Sequence, residues 1–257
     1  MSEARLFLTA TRLSARGLRH GFSLRGGGAS EGAYAGLNLG RAVGDDPETV
    51  ALNCRRLEAA AGVEPVAQVS QVHGRRMVEV PARLDAAGWA ELSRVEADGL
   101  YTAAPGVSVG VRTADCVPLL ACGAGEGGRT AVAAIHAGWR GTLEGIAAAG
   151  ALVLGPLESV EVAIGPSIRR CCYEVDEALA RRFVDALGEE VVDRTRGPKP
   201  HLDLVEANLR VLAGAGVPRE RVEVLNACTA CDAERFFSHR RDRGLTGRHL
   251  SFIEAPV

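Results

Sequence analysis

The apolar positions of the chain follow two periods. Over "DDPETVALNCRRLEAAAG" they recur at helical spacing, with Val50, Cys54, Leu57 and Ala61 on one face. Asp46 stands where an N-cap belongs, Pro47 at the first helical position and Gly62 past the end, so a helix is expected there. Short β-branched runs between glycine-rich turns, "GVSVGVRT" (106–113) and "TAVAAIH" (130–136), predict buried strands. Helices are also expected over "GTLEGIAAAGALVL", over "VDEALARRFVDALG" with Leu179, Phe183 and Leu187 in register, and from Asp203 to Ala215. In the last of these Asp203 and Glu206 read as a capping box and Gly216 as the stop. Strands are expected over 159–164, 222–225 and 249–254. With no repeat and no polar linker, this alternation predicts one α/β domain over residues 1–257.

Composition narrows the function classes. A hydrophobic fraction of 47% with 24% charged residues describes a soluble chain able to bury a core. A net charge of -2 supplies no field for nucleic acid or an anionic membrane surface, so neither is an expected partner. The N-terminal stretch has no apolar core of secretory type and no segment has the length of a membrane span, so a cytoplasmic monomer acting on small molecules is expected. Seven cysteines in a chain of this size predict reduced thiols rather than a disulfide framework. The glycine-rich "RGGGASEGAYAG" (25–36) lacks the strand and helix context of a dinucleotide or Walker loop and is expected to be mobile or to line a ligand.

Two apolar runs adjoin reactive groups: "TADCVPLL" carries Asp115 and Cys116, and "AIHAGWRGT" carries His136 and Arg140. His73 follows the apolar "PVAQV" in the same way. A thiolate and two imidazoles suit zinc, and three protein ligands leave the open position of a catalytic site. Separations of 43 and 20 residues offer no local motif, and packing or hydrogen bonding at strand ends is the alternative for each. A second metal or redox candidate is "CTAC", Cys228 to Cys231, with the adjacent Cys171 and Cys172.

The stretches "HGFSLRGGGAS", "SQVHG", "ADGLYT", "TADCVPLL", "AAIHAGWRGT", "AIGPSIRRCCYEV" and "FFSHRRDRGLTGR" stand in the order seen in the YfiH-like family, also known as the laccase-domain or multicopper polyphenol oxidase family. The chain resembles that family from about His20 to Ile253. The resemblance implies two mixed β-sheets in an α/β/β/α layering, and it implies zinc on His73, Cys116 and His136. It further implies phosphorolysis of adenosine, inosine, guanosine and S-methyl-5′-thioadenosine, and deamination of adenosine. For such chemistry Asp115 is a candidate proton shuttle or orienting group, and Arg140 the first candidate for phosphate. Arg25, Arg240 and Arg241 follow, and Asn38 and Gln71 are candidates for sugar or base contacts. His239 stands where tyrosine is frequent. With six histidines, two methionines and no His-x-His pair, copper oxidase chemistry is disfavoured. Two other readings are a cysteine hydrolase with Cys116 as nucleophile, editing peptidoglycan precursors, and a zinc-stabilised binding protein without turnover.

Overall fold

The computed structural model describes residues 5–257. Its strands are β1 (Phe7–Leu8), β2 (His20–Ser23), β3 (Met77–Glu79), β4 (Gly99–Thr102), β5 (Ser108–Thr113), β6 (Val117–Ala124), β7 (Thr130–Ala137), β8 (Glu161–Ile164), β9 (Val192–Asp193), β10 (His201–Leu202), β11 (Val222–Val224) and β12 (His249–Glu254). The helices are α1 (Thr11–Ala15), α2 (Pro47–Ala61), α3 (Ala86–Leu92), α4 (Trp139–Leu143), α5 (Ile146–Leu152), α6 (Glu177–Leu187) and α7 (Leu204–Ala215). A four-stranded sheet has the order β1-β2-β12-β5 and is antiparallel throughout. A six-stranded sheet has the order β11-β8-β6-β7-β4-β3, parallel in its outer pairs and antiparallel between them. Of the two sheets expected to be mixed, only the larger is.

Side-chain alternation along β6 sets the layers. Val117, Leu119 and Ala121 pack with Ile146 of α5, Phe183 of α6 and Leu212 of α7. Leu120 and Cys122 face the other way, into a core shared with Val109, Val111 and Ile253 of the smaller sheet. On that sheet's outer side, Leu250 and Phe252 meet Val50, Cys54 and Leu57 of α2. The result is the expected α/β/β/α stack. Burial on both faces explains why β6 and β7 read as nearly continuous apolar runs rather than as alternating ones.

Local chemistry accounts for the agreements and the differences. Asp46 caps α2 by accepting from Thr49 N at 2.8 Å, as its position predicts. Asp203 likewise caps α7, but Glu206 turns to Arg210 instead of reaching back, so the capping box is only half formed. The helix expected over "GTLEGIAAAGALVL" is broken into α4 and α5 at Gly145, whose φ of 81° no continuous helix accommodates. Strand β6 was concealed by Pro118, a residue that argues against a central strand. It is tolerated as the second residue of β6, where its missing N–H lies at the end of the ladder and its carbonyl accepts from Gly165 N at 2.9 Å. Segment 25–36 is pinned rather than mobile: Ser30 and Gly36 exchange backbone hydrogen bonds, and Asn53 of α2 bonds Ala29 N and Ser30 Oγ. Among the described residues no helix is long and apolar enough to cross a membrane.

Two buried histidines are held neutral by the fold. His249 accepts from Phe237 N at 2.9 Å, and burial, followed by the weaker repulsion of Arg25 and Arg241, pushes it down to about 3. His20 accepts from Ala10 N at 2.8 Å and is lowered mainly by burial. Both bind a proton more readily in the unfolded chain, so stability is fully present above about 6.5 and is lost as pH falls below it. Urea unfolding is expected to lose about 2 kcal/mol for His249 between pH 7 and pH 5. His249→Asn should flatten that dependence, and an equally steep dependence in the variant would contradict the assignment.

Candidate active site

The chain passes from one sheet to the other between Thr113, the last residue of β5, and Val117, the first of β6. Asp115 makes this crossing with φ 89°, a left-handed conformation that a side-chain-bearing residue adopts only when its surroundings compel it. Three donors supply that constraint: the Asp115 carboxylate accepts from Thr229 Oγ1 at 2.6 Å, Ser238 Oγ at 3.0 Å and Arg240 N at 2.7 Å. The crossing places Cys116 beside His136, which lies near the C-terminal end of β7.

His73 joins them from a loop held by one carboxylate. Asp98, buried just before β4, accepts from Val72 N, His73 N and Gly74 N at 3.2, 2.8 and 2.7 Å. These three bonds secure His73 at φ 63°. The same carboxylate lies 2.8 Å from His136 Nδ1, which orients the ring and leaves Nε2 as the free donor atom. Backbone spacing is also tight, since a Cβ on Gly138 would lie 2.8 Å from His73 Cδ2 and 3.3 Å from Cys116 Sγ.

One ligand atom from each of His73, Cys116 and His136 lies within 4.8 Å of the others, so the three can hold a metal ion. The electrostatics fit a cation. Burial raises the Cys116 thiol, but His136 and His73 outweigh it and bring the thiol down to about 6. Burial lowers His136, and the neighbouring Cys116 and Asp98 outweigh it, raising the imidazole to about 9. For Asp98, burial opposes ionisation, yet the His136 contact and the Gly74 and His73 N–H groups leave the carboxyl below its usual range. The donor set is soft and nitrogen-rich, and it has one carboxylate behind it, the combination that zinc favours.

Two cavities open on this cluster. One of about 340 Å³ has Cys116, Trp139, Tyr173, His239, Arg240 and Arg248 among its walls. The other, about 270 Å³, is lined by Arg41, Gln71, His73, Arg112, His136 and Arg248, with other residues. His73, Arg112 and Arg248 belong to both. Of the residues singled out in the sequence, Asp115, Gln71 and Arg240 are therefore brought to the site. Gln71 spends both polar atoms on the Arg112 backbone, at 2.8 Å each. Arg140, Arg25, Asn38 and Arg241 line neither cavity. Arg140 is exposed and stacks on Trp139; Arg25 bonds the Ala35 and Ala233 carbonyls. Asn38 is fully buried, bonded to Asp45, Gly40 and Arg248 N. Arg241 bonds Asp242 and the Thr229 and Phe236 carbonyls.

Asp98, Arg112, Arg248 and Tyr173 are the site residues that sequence reasoning missed. Asp98 stood inside the quoted "ADGLYT", and a lone aspartate entering an apolar strand was the available signal. Arg112 and Arg248 had none in a chain whose cations are nearly all arginine. Burial lowers both; Arg112 is crowded in addition by Arg41 and Arg248, whereas the Cys116 and Asp115 charges favour the charged form of Arg248. Tyr173 is pushed up to about 12 by burial and then by the Cys116 charge.

The purine nucleoside phosphorylase YlmD of Geobacillus stearothermophilus is 39% identical, over 98% of this chain and 95% of that protein. The adenosine deaminase RL5, from an unknown prokaryotic organism, is 34% identical over 93% of this chain and 95% of its own length. The crystal structure of the Geobacillus YlmD superposes with a TM-score of 0.86 at 36% identity, covering 100% of this chain and 98% of that one. The family model described as multi-copper polyphenol oxidoreductase laccase matches residues 19–255, and the chain belongs to that family.

Proposed function

We propose that this chain is a zinc-dependent purine nucleoside enzyme. It cleaves adenosine, inosine, guanosine and S-methyl-5′-thioadenosine with phosphate, and deaminates adenosine to inosine. The observation that carries the reading is the juxtaposition of the His73, Cys116 and His136 donor set with the half-buried Arg112 and Arg248 on the walls of one pair of cavities. The activities named for the relatives at 39% and 34% identity support it. A cytoplasmic setting belongs with it, supported by seven free cysteines.

His73, Cys116 and His136 would hold zinc, which would supply Lewis acidity and a water nucleophile near neutral pH. The protein's own groups do the rest. Asp98 retains the Nδ1 proton of His136 and so keeps Nε2 turned to the ion. Tyr173, Trp139 and Leu204 give the larger cavity apolar walls that suit a purine and exclude water. Arg112 and Arg248, with Arg41 beside them, hold phosphate oxygens against the ribose C1′ as positive charge develops there. An anion also relieves the repulsion that Arg41 and Arg248 exert on Arg112. With three hydrogen bonds accepted, the Asp115 carboxylate acts here by fixing the cavity wall rather than by moving protons.

Copper oxidase chemistry does not fit the residues present. His20 and His249 are committed to buried backbone contacts, and His201 bonds the Arg170 carbonyl. Only His239 is left to join His73 and His136, too few for a trinuclear copper cluster, and neither cavity has a methionine in its lining. A second reading, Cys116 as the nucleophile of an amidase, is favoured by the lowered thiol beside a raised imidazole.

Purified protein incubated with adenosine should yield inosine in any buffer, and adenine with ribose 1-phosphate only when phosphate is present. Cys116→Ala should lose the zinc held with His73 and His136 and both products together. Rapid alkylation of Cys116 in the zinc-loaded protein, with muropeptide cleavage and no nucleoside turnover, would establish the amidase instead. Arg248→Gln is expected to raise the KM for phosphate about 10- to 100-fold, the worth of a charge-assisted hydrogen bond, with deamination changed far less. Equal losses in both reactions would remove Arg248 from the phosphate subsite. Asp98→Asn should weaken zinc binding about 10- to 100-fold in chelator competition, and unchanged affinity would contradict the orienting role of Asp98.

A further inference from the structure

A second sulfur cluster lies apart from the His73, Cys116 and His136 set. Strands β8 and β11 run parallel, so the loops after them leave the same end of the sheet. The first loop carries Cys171 and Cys172, the second Cys228 and Cys231. Ser167 and Cys228 pair as a parallel bridge, and Thr229 N donates to Ser167 O at 3.1 Å, so the loops run side by side before their thiols meet. Cys231 Sγ then lies 3.3 Å from Cys172 Sγ and 3.5 Å from Cys171 Sγ. All four sulfurs fall within 4.8 Å of one another.

The spacing is that of a metal knot. Zinc–sulfur bonds of about 2.3 Å at tetrahedral angles separate the sulfurs by about 3.8 Å, so the cluster needs only small adjustments to close on an ion. Thiols are weak donors and weak acceptors, and four of them gathered together contribute little to holding two loops. An ion accepting a lone pair from each would supply the missing bond energy.

We propose that Cys171, Cys172, Cys228 and Cys231 form a tetrathiolate zinc site that ties the β8 and β11 loops together behind the active-site wall. Soft thiolates select zinc among the common divalent ions, and four protein ligands leave no open position, so the site is structural. The tied loops reach the chemistry directly. Ile168 N donates to Asp115 O at 2.9 Å, Thr229 Oγ1 bonds the Asp115 carboxylate, and Tyr173 follows Cys172 into the larger cavity. The ion therefore braces the turn that carries Cys116 without touching substrate.

The tetrathiolate site does not depend on the nucleoside chemistry, and one set of variants separates the two. Cys116→Ala/His136→Ala removes the first donor set. That variant, prepared under reducing conditions and reconstituted with zinc, is expected to retain the ion at a one-to-one ratio. Cobalt in its place should give the intense sulfur charge-transfer bands of a tetrahedral thiolate site, and the four thiols should resist a disulfide reagent until a chelator is added. Adding Cys228→Ser/Cys231→Ser should abolish the retained metal. If that fourfold variant does not fold, the cobalt spectrum and thiol protection of its parent decide the matter. A folded, reconstituted Cys116→Ala/His136→Ala protein without zinc overturns the proposal, as does a disulfide among the four cysteines in freshly alkylated protein. A wild type that holds the second zinc but turns over no nucleoside leaves this site standing and sinks only the proposed function.

Discussion

The candidate site depends on one buried carboxylate. Asp98 is fully enclosed, and such a group is tolerated only when its oxygens are satisfied. Here they are satisfied by the groups that must be positioned: three successive N–H groups of the His73 loop and the Nδ1 of His136. Backbone strain at His73 and ring orientation at His136 are thereby coupled to the same desolvated charge. Loss of that charge would free the loop and the imidazole at once, which no single donor could do.

The two-sheet architecture explains why the site lies where it does. Neither sheet has a complete set of groups: β7 of the larger carries His136, and the crossing from β5 to β6 carries Cys116. Asp115 is the counterpart of Asp98 on the opposite side, a second carboxylate with three donors, and it gathers Thr229, Ser238 and Arg240 from the C-terminal part of the chain. Two acidic groups thus organise the walls of a cavity whose free charges are mainly arginines.

What the sequence made legible follows the range of the interactions involved. Helix α2 was readable to its ends because its cap, first-turn proline and stop are local, and β7 because its apolar run is continuous. The break between α4 and α5 was not, since glycine in an alanine-rich stretch reads equally as a weak helix residue or as a left-handed joint. Cys116, His136 and His73 were legible as ligand types, but their convergence comes from contacts across long separations and was reached through family resemblance. Arg112 and Arg248 could not be distinguished from surface arginines, because desolvation and the charges around each are properties of the folded chain. Asn38 and Arg241 looked like ligand-binding groups because a sequence does not show which polar side chains turn back on the chain around them, as Asn38 does on Gly40 and Asp45 and Arg241 on Asp242 and the Thr229 and Phe236 carbonyls.

The short turn between Thr113 and Val117 has a consequence for how this chain can change. One residue inserted there and carried into the strand as a slip of one place would turn every side chain of β6 to the opposite face, sending Leu119 and Ala121 to the inter-sheet core and Leu120 and Cys122 toward the helices. The same insertion would displace the thiol from its imidazoles. Chemistry and core packing are encoded in one stretch of three residues, so lengthening the loop is closed as a route to new specificity. Divergence is confined to the remaining walls, where positions such as His239 face the cavity without setting the register of a strand.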